Sequence, residues 1–262
     1  MDLPLVGGGT ARGLARQPFA RYQPEDRLED VERLGTFPEA NYEQIASVQP
    51  DCIIDSTTND REQYERLSQI APTFNFNEIL YGEGSLADWP RALKSVAKVF
   101  GRGNVAEQVL SDYEERAADL RARLAERWAG ATFAVVGGGE PGTLNINYLN
   151  SQPLLILSEE LSLAPAEFVP ETYEEYLEEG RLSLERIDLL QEVDLLFVRV
   201  EVSQAGPGRD RGVVAPMLES PLWKRLPAVR AGQVHEFDAE LFYASPLTAT
   251  AFLDAVENSL LS

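Results

Sequence analysis

The sequence predicts an α/β protein made of two like halves joined by one long helix. Three observations carry that expectation. A helix–turn–strand segment occurs twice, first over Asn41–Ile54 and again over Ser183–Val198. Each copy ends in a nearly all-apolar run, the pattern of a strand buried on both faces of a parallel sheet. Between the copies, Val105 to Trp128 sustains helical periodicity without Gly or Pro. In the repeat, Glu43 aligns with Glu185, Ile45 with Ile187 and Gln49 with Gln191; after a one-residue insertion, Asp51 aligns with Asp194. Two like halves enclosing a cleft suggest a ligand-binding protein.

The first half opens with a short strand, Leu3–Val6, running into a loop at Gly7-Gly8-Gly9. A helix is expected over Asn41–Val48 and a strand over Cys52–Asp55, followed by the loop Ser56-Thr57-Thr58-Asn59-Asp60. The next helix, Glu62–Ile70, stops at Ala71-Pro72, because the residue before proline disfavours the helical region. Thr73–Phe76 reads as strand and Leu86–Phe100 as helix.

The long helix over Val105–Trp128 carries its charge on one face, in Glu114, Glu115, Arg116, Asp119, Arg121 and Arg123. At its length it reaches roughly 30 Å or more and acts as a stiff strut. After Gly130 the α/β pattern restarts with a strand, Thr132–Val136, opening into the loop Gly137-Gly138-Gly139-Glu140-Pro141-Gly142. Ile156–Leu163 is helical, Glu171–Glu179 an acidic loop or helix, Ser183–Gln191 the repeated helix and Asp194–Val200 the repeated strand. The loop Ser203–Gly212, a short helix Pro221–Leu226, a strand Gln233–Phe237 and a closing helix Pro246–Leu260 complete the chain. The expected organisation is an N-terminal lobe over 1–103, the joining helix over 104–129 and a C-terminal lobe over 130–262.

Composition bounds the partners. Of 262 residues, 44% are apolar, enough for a real core, and the formal charge is −20. Such a charge argues against nucleic acid, whose phosphates demand a basic face, and against a polybasic patch on anionic lipid. Cys52 is the only cysteine, so no disulfide forms within the chain; its place in an apolar run points to a small buried residue. No stretch has the length and apolarity of a membrane span. The opening residues lack the charged and apolar regions of a signal peptide. Composition therefore leaves open a cytoplasmic protein or an export segment outside this chain.

No catalytic pattern emerges. The two triple glycines, Gly7–Gly9 and Gly137–Gly139, follow strands but match neither the dinucleotide fingerprint nor the P-loop, so tight strand-exit turns are the default. His235 is the only histidine, which rules out a polyhistidine metal site. A structural role within an apolar strand is expected for it. No Gly-x-Ser-x-Gly, kinase or metalloprotease signature occurs. What stands out is a group of aromatics and an arginine in predicted strand-exit loops and turns: Tyr81, Tyr148, Tyr173, Arg199, Phe242 and Tyr243. Arginine donates in a fixed fork and tyrosine offers a face and a hydroxyl, a pairing suited to a polar or anionic ligand.

Several segments together resemble the substrate-binding proteins of ABC importers for iron–siderophore complexes and cobalamin. Gly35-Thr36-Phe37-Pro38-Glu39-Ala40-Asn41-Tyr42-Glu43-Gln44-Ile45, running into Gln49-Pro50-Asp51-Cys52-Ile53-Ile54, is similar to that family's glycine, Pro-Asn-x-Glu-x-Ile and Lys-Pro-Asp-hydrophobic signature. Leu67-Ser68-Gln69-Ile70-Ala71-Pro72-Thr73 is similar to its Leu-x-x-Ile-Ala-Pro-Thr segment. Pro221-Leu222-Trp223, Leu226-Pro227-Ala228-Val229-Arg230-Ala231-Gly232 and Phe242-Tyr243 are similar to the C-terminal region of ferric hydroxamate binders. The resemblance covers nearly the whole chain.

The resemblance implies two Rossmann-like lobes joined by a single long backbone helix, with the ligand cleft between them. It also implies that Glu43 and Glu185, one per lobe, dock onto basic pockets of an ABC permease dimer. Leu3-Pro4-Leu5-Val6-Gly7 falls at the family's second strand, so its first strand, first helix and signal or lipobox cysteine are expected to be missing from this chain. Some hydroxamate binders carry an arginine just before the Pro-Asn-x-Glu segment, where this chain has Phe37; Arg199 and Arg61 become the candidates instead.

The expected function is extracytoplasmic capture of a ferric siderophore, hydroxamate type favoured, by a monomeric, non-enzymatic binding protein, periplasmic or lipid-anchored. Arg199, Tyr148, Tyr243, Phe242, Tyr81 and Arg61 are the expected ligand contacts. No cofactor and no protein metal ligands are expected, because a siderophore already surrounds its iron with hard oxygen donors. Haem or cobalamin is the alternative ligand, and a cytoplasmic Rossmann-like enzyme the alternative class.

Overall fold

A computed structural model of the chain describes residues 7–11, 31–37, 39–55, 61–75, 88–138, 143–202, 209–210 and 214–262. The chain divides into two compact units, Met1–Val109 and Leu110–Ser262, and the division falls inside the long helix. Both units are α/β.

In the first unit, β1 (Gly7–Ala11) pairs in parallel with β2 (Glu32–Phe37), which turns back on β3 (Glu39–Ala40). The triple glycine is therefore part of a strand rather than the expected loop; Leu3–Val6 lies outside the described residues. Helix α1 (Tyr42–Ser47) begins at Asn41, whose side-chain oxygen accepts from the Gln44 backbone N–H at 3.1 Å. This cap satisfies one of the amides a helix start leaves orphaned. The helix buries Ile45 and leaves Glu43 exposed.

The chain then turns through Gln49 in the left-handed region (φ 47) into β4 (Ile53–Asp55), parallel to β5 (Thr73–Asn75) across α2 (Arg61–Ile70). Asp55 is buried and accepts from the Asn75 amide at 2.9 Å. The expectation of a doubly buried run at Cys52–Ile54 is not met. Cys52 precedes the strand and is exposed, and Ile54 is 44% exposed. β4 is three residues long, so the polar turn extends one position further than hydrophobicity indicates. Two helices follow, α3 (Trp89–Val99), capped by Asp88, and α4 (Gly103–Trp128).

Helix α4 buries Ala106, Leu110, Tyr113, Ala117, Leu120 and Leu124, at alternating spacings of four and three. That stripe is the core-facing pattern of an amphipathic helix. Among the described residues no helix is long and apolar enough to cross a membrane.

The second unit is built on one sheet. Strands β6 (Thr132–Gly138), β10 (Leu195–Val202) and β12 (Val234–Asp238) run parallel with β10 in the middle. The far edge of β6 pairs in parallel with β8 (Ala164–Pro165) at its start and antiparallel with β7 (Thr143–Ile146) at its end. β9 (Arg181–Ser183) follows on β7, and β11 (Arg209–Asp210) on the end of β10. Phe133 to Val136 and Leu195 to Val198 are buried on both faces, and Phe133 meets Phe197 edge-on. Here the parallel-strand expectation holds.

Helix α5 (Gln152–Leu155) continues as a π turn over Ile156–Glu160, closed by the Leu161 N–H donating to the Ile156 carbonyl at 2.9 Å. There Glu160 accepts from the Tyr113 hydroxyl of α4 at 2.5 Å. Burial pushes both groups' pKa values up. Acidic helix α6 spans Tyr173–Glu179, and the second repeat adopts a 3-10 helix over Leu184–Glu192 where an α-helix is expected. Short helices α7 (Ala215–Glu219) and α8 (Pro227–Arg230) precede β12.

The closing helix α9 (Pro246–Leu260) buries Ala249, Phe252, Leu253, Val256 and Leu260. It is tied to α4 by polar contacts as well. Glu257 accepts from both Arg116 and Arg123, and Trp128 Nε1 donates to the Leu260 carbonyl at 3.2 Å.

These hydrogen bonds, the one from Arg123 foremost and then that from Arg116, hold the Glu257 carboxyl below the usual range. A depressed carboxylate stabilises the fold above its unfolded pKa, about 4.3. That contribution is lost as pH falls through the lower folded value. Replacing Glu257→Gln is expected to lower the thermal midpoint at pH 7 by about 2–4 °C, the scale of a partly exposed ion pair. Thermal unfolding across pH checks it: the gap between variant and parent should close in acid below the folded-state pKa.

Candidate functional site

The register of the parallel strands sets the site. Val198 of β10 lies level with Val136 of β6 and with Glu236 of β12. One residue further, beyond the fully buried run, comes Arg199, level with Phe237. Its side chain has room because the neighbouring position on β6 is Gly137. A Cβ built there would lie 3.0 Å from Arg199 Nε and 3.3 Å from Arg199 Cβ. Glycine suits this close approach, since any side chain here would lie tight against Arg199, which would have to give by a few tenths of an ångström. The expectation of a strand-exit loop at Gly137–Gly139 is corrected accordingly. Gly137 and Gly138 are strand residues, and Gly139 lies outside the described residues.

Laid across Gly137, the Arg199 guanidinium carbon sits 4.7 Å from the centre of the Phe242 ring. A cation over an aromatic face is attracted by the ring quadrupole. Phe242 ends the 3-10 turn Ala239–Phe242, which follows directly on β12. Asp238 caps that turn, its side chain accepting from the Glu240 N–H at 3.0 Å. Phe242 in turn meets Tyr243 edge-on, with centroids 6.0 Å apart and planes at 83°. Tyr243 is 50% exposed. The second unit thus places an arginine, a phenylalanine and an open tyrosine in a chain of contacts. Arg199 lies within β10, which continues to Val202 rather than ending before it as expected, while Phe242 and Tyr243 follow the carboxyl end of β12, the side on which ligands of open α/β sheets collect.

The other candidates fall elsewhere. Tyr148 is only 3% exposed, its ring 5.4 Å from that of Tyr176 in α6, so it packs within the second unit. Arg61, in the first unit, opens α2 and is exposed, with Nε 2.8 Å from Glu65 one turn along. Tyr81 and the side chain of Tyr173 lie outside the described residues. His235 is on β12 as expected, its ring 5.4 Å from that of Phe197. Its Nε2 is buried without a hydrogen-bond partner, and burial lowers its pKa. Among the described residues no three His, Cys, Asp or Glu side chains gather in a metal-binding group.

Glu43 and Glu185 occupy equivalent places, each the second residue of its repeated helix, in the first turn and exposed. Their aligned isoleucines, Ile45 and Ile187, are both buried. The repeat therefore recurs in burial as well as in sequence. Sequence reasoning missed two supports of the arginine–aromatic group. Gly137 carried a signal, a glycine run beside a strand. Gln152, whose amide bonds hold the segment after Phe242, carried none.

Comparison with known proteins agrees with this architecture. Residues 1–241 match the family model described as periplasmic binding protein. The chain is 26% identical over 231 residues to a probable siderophore-binding lipoprotein of Bacillus subtilis, covering 88% of this chain and 68% of that one. It is 25% identical over 229 residues to the iron(3+)-hydroxamate-binding protein of Escherichia coli, covering 87% and 72%. Among solved structures, the siderophore periplasmic binding protein from the fuscachelin gene cluster of Thermobifida fusca superposes with a TM-score of 0.72 at 26% identity, over 97% of this chain and 89% of that one. The iron-uptake system-binding protein of Bacillus subtilis, at 20% identity, shares the fold with a TM-score of 0.75 over 97% and 86%.

Crowding at Gly137 is directly testable. Gly137→Val should destabilise the protein by about 1–3 kcal/mol, the cost of overpacking a filled site. Urea unfolding of the single variant and of the same change in an Arg199→Ala background checks the cause. The loss should be smaller in the double variant, because the atoms in the way belong to Arg199.

Proposed function

The chain belongs to the periplasmic binding protein family, and we propose that it captures a ferric siderophore outside the cytoplasmic membrane and delivers it to an ABC importer. It is a transport-binding protein and not an enzyme. The observation that carries the reading is the Arg199–Phe242–Tyr243 group on Gly137, in a chain similar along most of its length to siderophore-binding proteins.

A ferric siderophore presents hard oxygens already committed to iron, with carbonyl, carboxylate or hydroxyl groups around them. A receptor for it has no need to ligate the metal. It needs a fixed donor fork and aromatic surface, and Arg199 with Phe242 and Tyr243 offers both. Packing of the arginine stem over Gly137 and stacking on Phe242 hold the fork in place before the ligand arrives, which reduces the entropy lost on binding. The hydroxamate class is our first choice, supported by the names of two relatives, from Escherichia coli and Bacillus subtilis. Arg61 and Tyr81 are proposed as further ligand contacts. Tyr148, buried against Tyr176, is proposed to act from behind the surface.

Delivery rests on Glu43 and Glu185. Two exposed carboxylates at equivalent points of a structural repeat suit a partner with two equivalent basic pockets, and such rim charges set orientation and on-rate. The protein acts as a monomer in this reading, and a lipid anchor is consistent with relatives named as lipoproteins.

Three outcomes are expected. Ferric hydroxamates should quench intrinsic fluorescence with sub-micromolar affinity, about 8 kcal/mol or more of binding free energy. Failure of all ferric siderophores, with tight binding of haem or cobalamin, would contradict the ligand class. Arg199→Ala should weaken binding by about 1.5–3 kcal/mol, the worth of a charge-assisted hydrogen bond, while thermal unfolding stays near that of the parent. Glu43→Arg with Glu185→Arg should abolish uptake through the cognate permease and leave ligand affinity within about twofold, since rim charges act on the partner. Uptake assays of single and double variants, with single reversals intermediate, check it.

A further inference from the structure

Directly after Phe242 the chain enters a buried polar knot that the ligand reading does not use. Gln152, at the first position of α5, is 1% exposed. Its Nε2 donates to the Leu241 carbonyl at 3.0 Å, to the Tyr243 carbonyl at 3.2 Å and to Thr248 Oγ1 at 3.3 Å. Its Oε1 accepts from the Ser245 N–H at 3.2 Å. Thr248, fully buried, adds a second donor to the Tyr243 carbonyl at 2.6 Å. Ser245 caps α9, accepting from the Thr248 N–H at 3.1 Å.

One amide from a segment far away in sequence thus grips the carbonyls on both sides of Phe242. An uncharged amide is costly to bury unless its hydrogen bonds are made, and here both ends of the side chain are engaged. The Leu241 carbonyl lies in the peptide plane that enters Phe242 and the Tyr243 carbonyl in the plane one residue beyond Phe242–Tyr243, so together they restrain the backbone on which the Phe242 ring is carried. That ring is the surface against which the Arg199 guanidinium lies.

We infer that Gln152 is a positioning residue for siderophore recognition, setting the Phe242 ring, and through it the Arg199 fork, from beneath. The inference rests on the ligand site proposed above, and it separates from it in the test. Thr248 shares the task through the Tyr243 carbonyl. Neither side chain touches ligand.

The first measurement needs no ligand. In the full chain, NMR of the Arg199 side chain should show a ring-current shift from Phe242, lost in Phe242→Ala. Gln152→Met, similar in volume and without the amide, should lose most of that shift, and Thr248→Val part of it. An unchanged shift in a folded Gln152→Met overturns the inference; should that variant not fold, the same shift in Thr248→Val decides.

The second measurement uses ferrioxamine B as probe, read by fluorescence quenching in a double-mutant cycle. Gln152→Met should weaken binding about tenfold in the parent and less than about twofold in the Phe242→Ala background, the non-additivity expected of residues acting as a unit. Equal losses in both backgrounds overturn the inference, because Gln152 then acts by a route other than Phe242. Gln152→Glu adds a signature that a purely structural role would not give. A buried carboxyl keeps its proton at low pH and can still donate to a carbonyl, so its binding should improve as pH falls while the parent's does not. If the parent binds no ferric siderophore, the ligand reading fails, and the NMR arm still decides whether Gln152 sets the ring.

Discussion

The register of β6, β10 and β12 is the constraint on which the rest of the second unit depends. Strands buried on both faces cannot slip, because a one-residue shift would exchange every side chain between faces and unmake the packing of Phe133 on Phe197. Once Val136, Val198 and Glu236 are level, the position on β6 beside Arg199 is Gly137, and the 3-10 turn after β12 brings Phe242 over the guanidinium. A cation is thereby held on the central strand, next to its fully buried run, by close packing on one side and a ring on the other. That placement suits the proposed binding role, since a donor fork fixed before the ligand arrives loses little freedom on contact.

The repeat shows how one pattern is used twice with different local structure. Ile45 and Ile187 anchor equivalent helices and leave Glu43 and Glu185 outside. The first copy is a capped α-helix leading to a three-residue strand, the second a 3-10 helix leading to an eight-residue strand. The second copy also makes a lock absent from the sequence alignment. Asp194 accepts from the Thr132 N–H at 2.8 Å and from its hydroxyl at 3.0 Å, tying the start of β10 to the start of β6. That lock helps fix the register.

Much of this was legible in the sequence where burial and periodicity act locally. The long helix, the strand beginning near Asp194 and the closing helix Pro246–Leu260 show the expected bounds to within a few residues, because each carries its own apolar stripe or run. Arg199 stands out as the first charge after a run too apolar to leave the core, although the strand does not end there as expected but continues to Val202. What was not legible depends on contacts distant in sequence. The apolarity of Cys52-Ile53-Ile54 says nothing about how many neighbours cover it, and none of the three positions is buried, Cys52 and Ile54 being exposed and Ile53 half-buried. Gly137 is explained only by Arg199, 62 residues later. Tyr148 has the chemistry of a ligand contact, and only packing against Tyr176 reveals that it faces inward. The π turn at Ile156–Glu160 leaves no trace in hydrophobic spacing, since its buried pair, Ile156 and Leu157, is adjacent in sequence and carries no period.

The central claim is that the arginine–aromatic group of β10 and the turn after β12 receives the siderophore. A crystal structure of the protein with a bound ferric hydroxamate tests it most directly. The account predicts the ligand against the Phe242 and Tyr243 rings, with an Arg199 nitrogen within hydrogen-bonding distance of one of its oxygens and iron coordinated by siderophore atoms alone. Ligand density elsewhere on the protein, with Arg199 still stacked on Phe242 and away from the ligand, would contradict it.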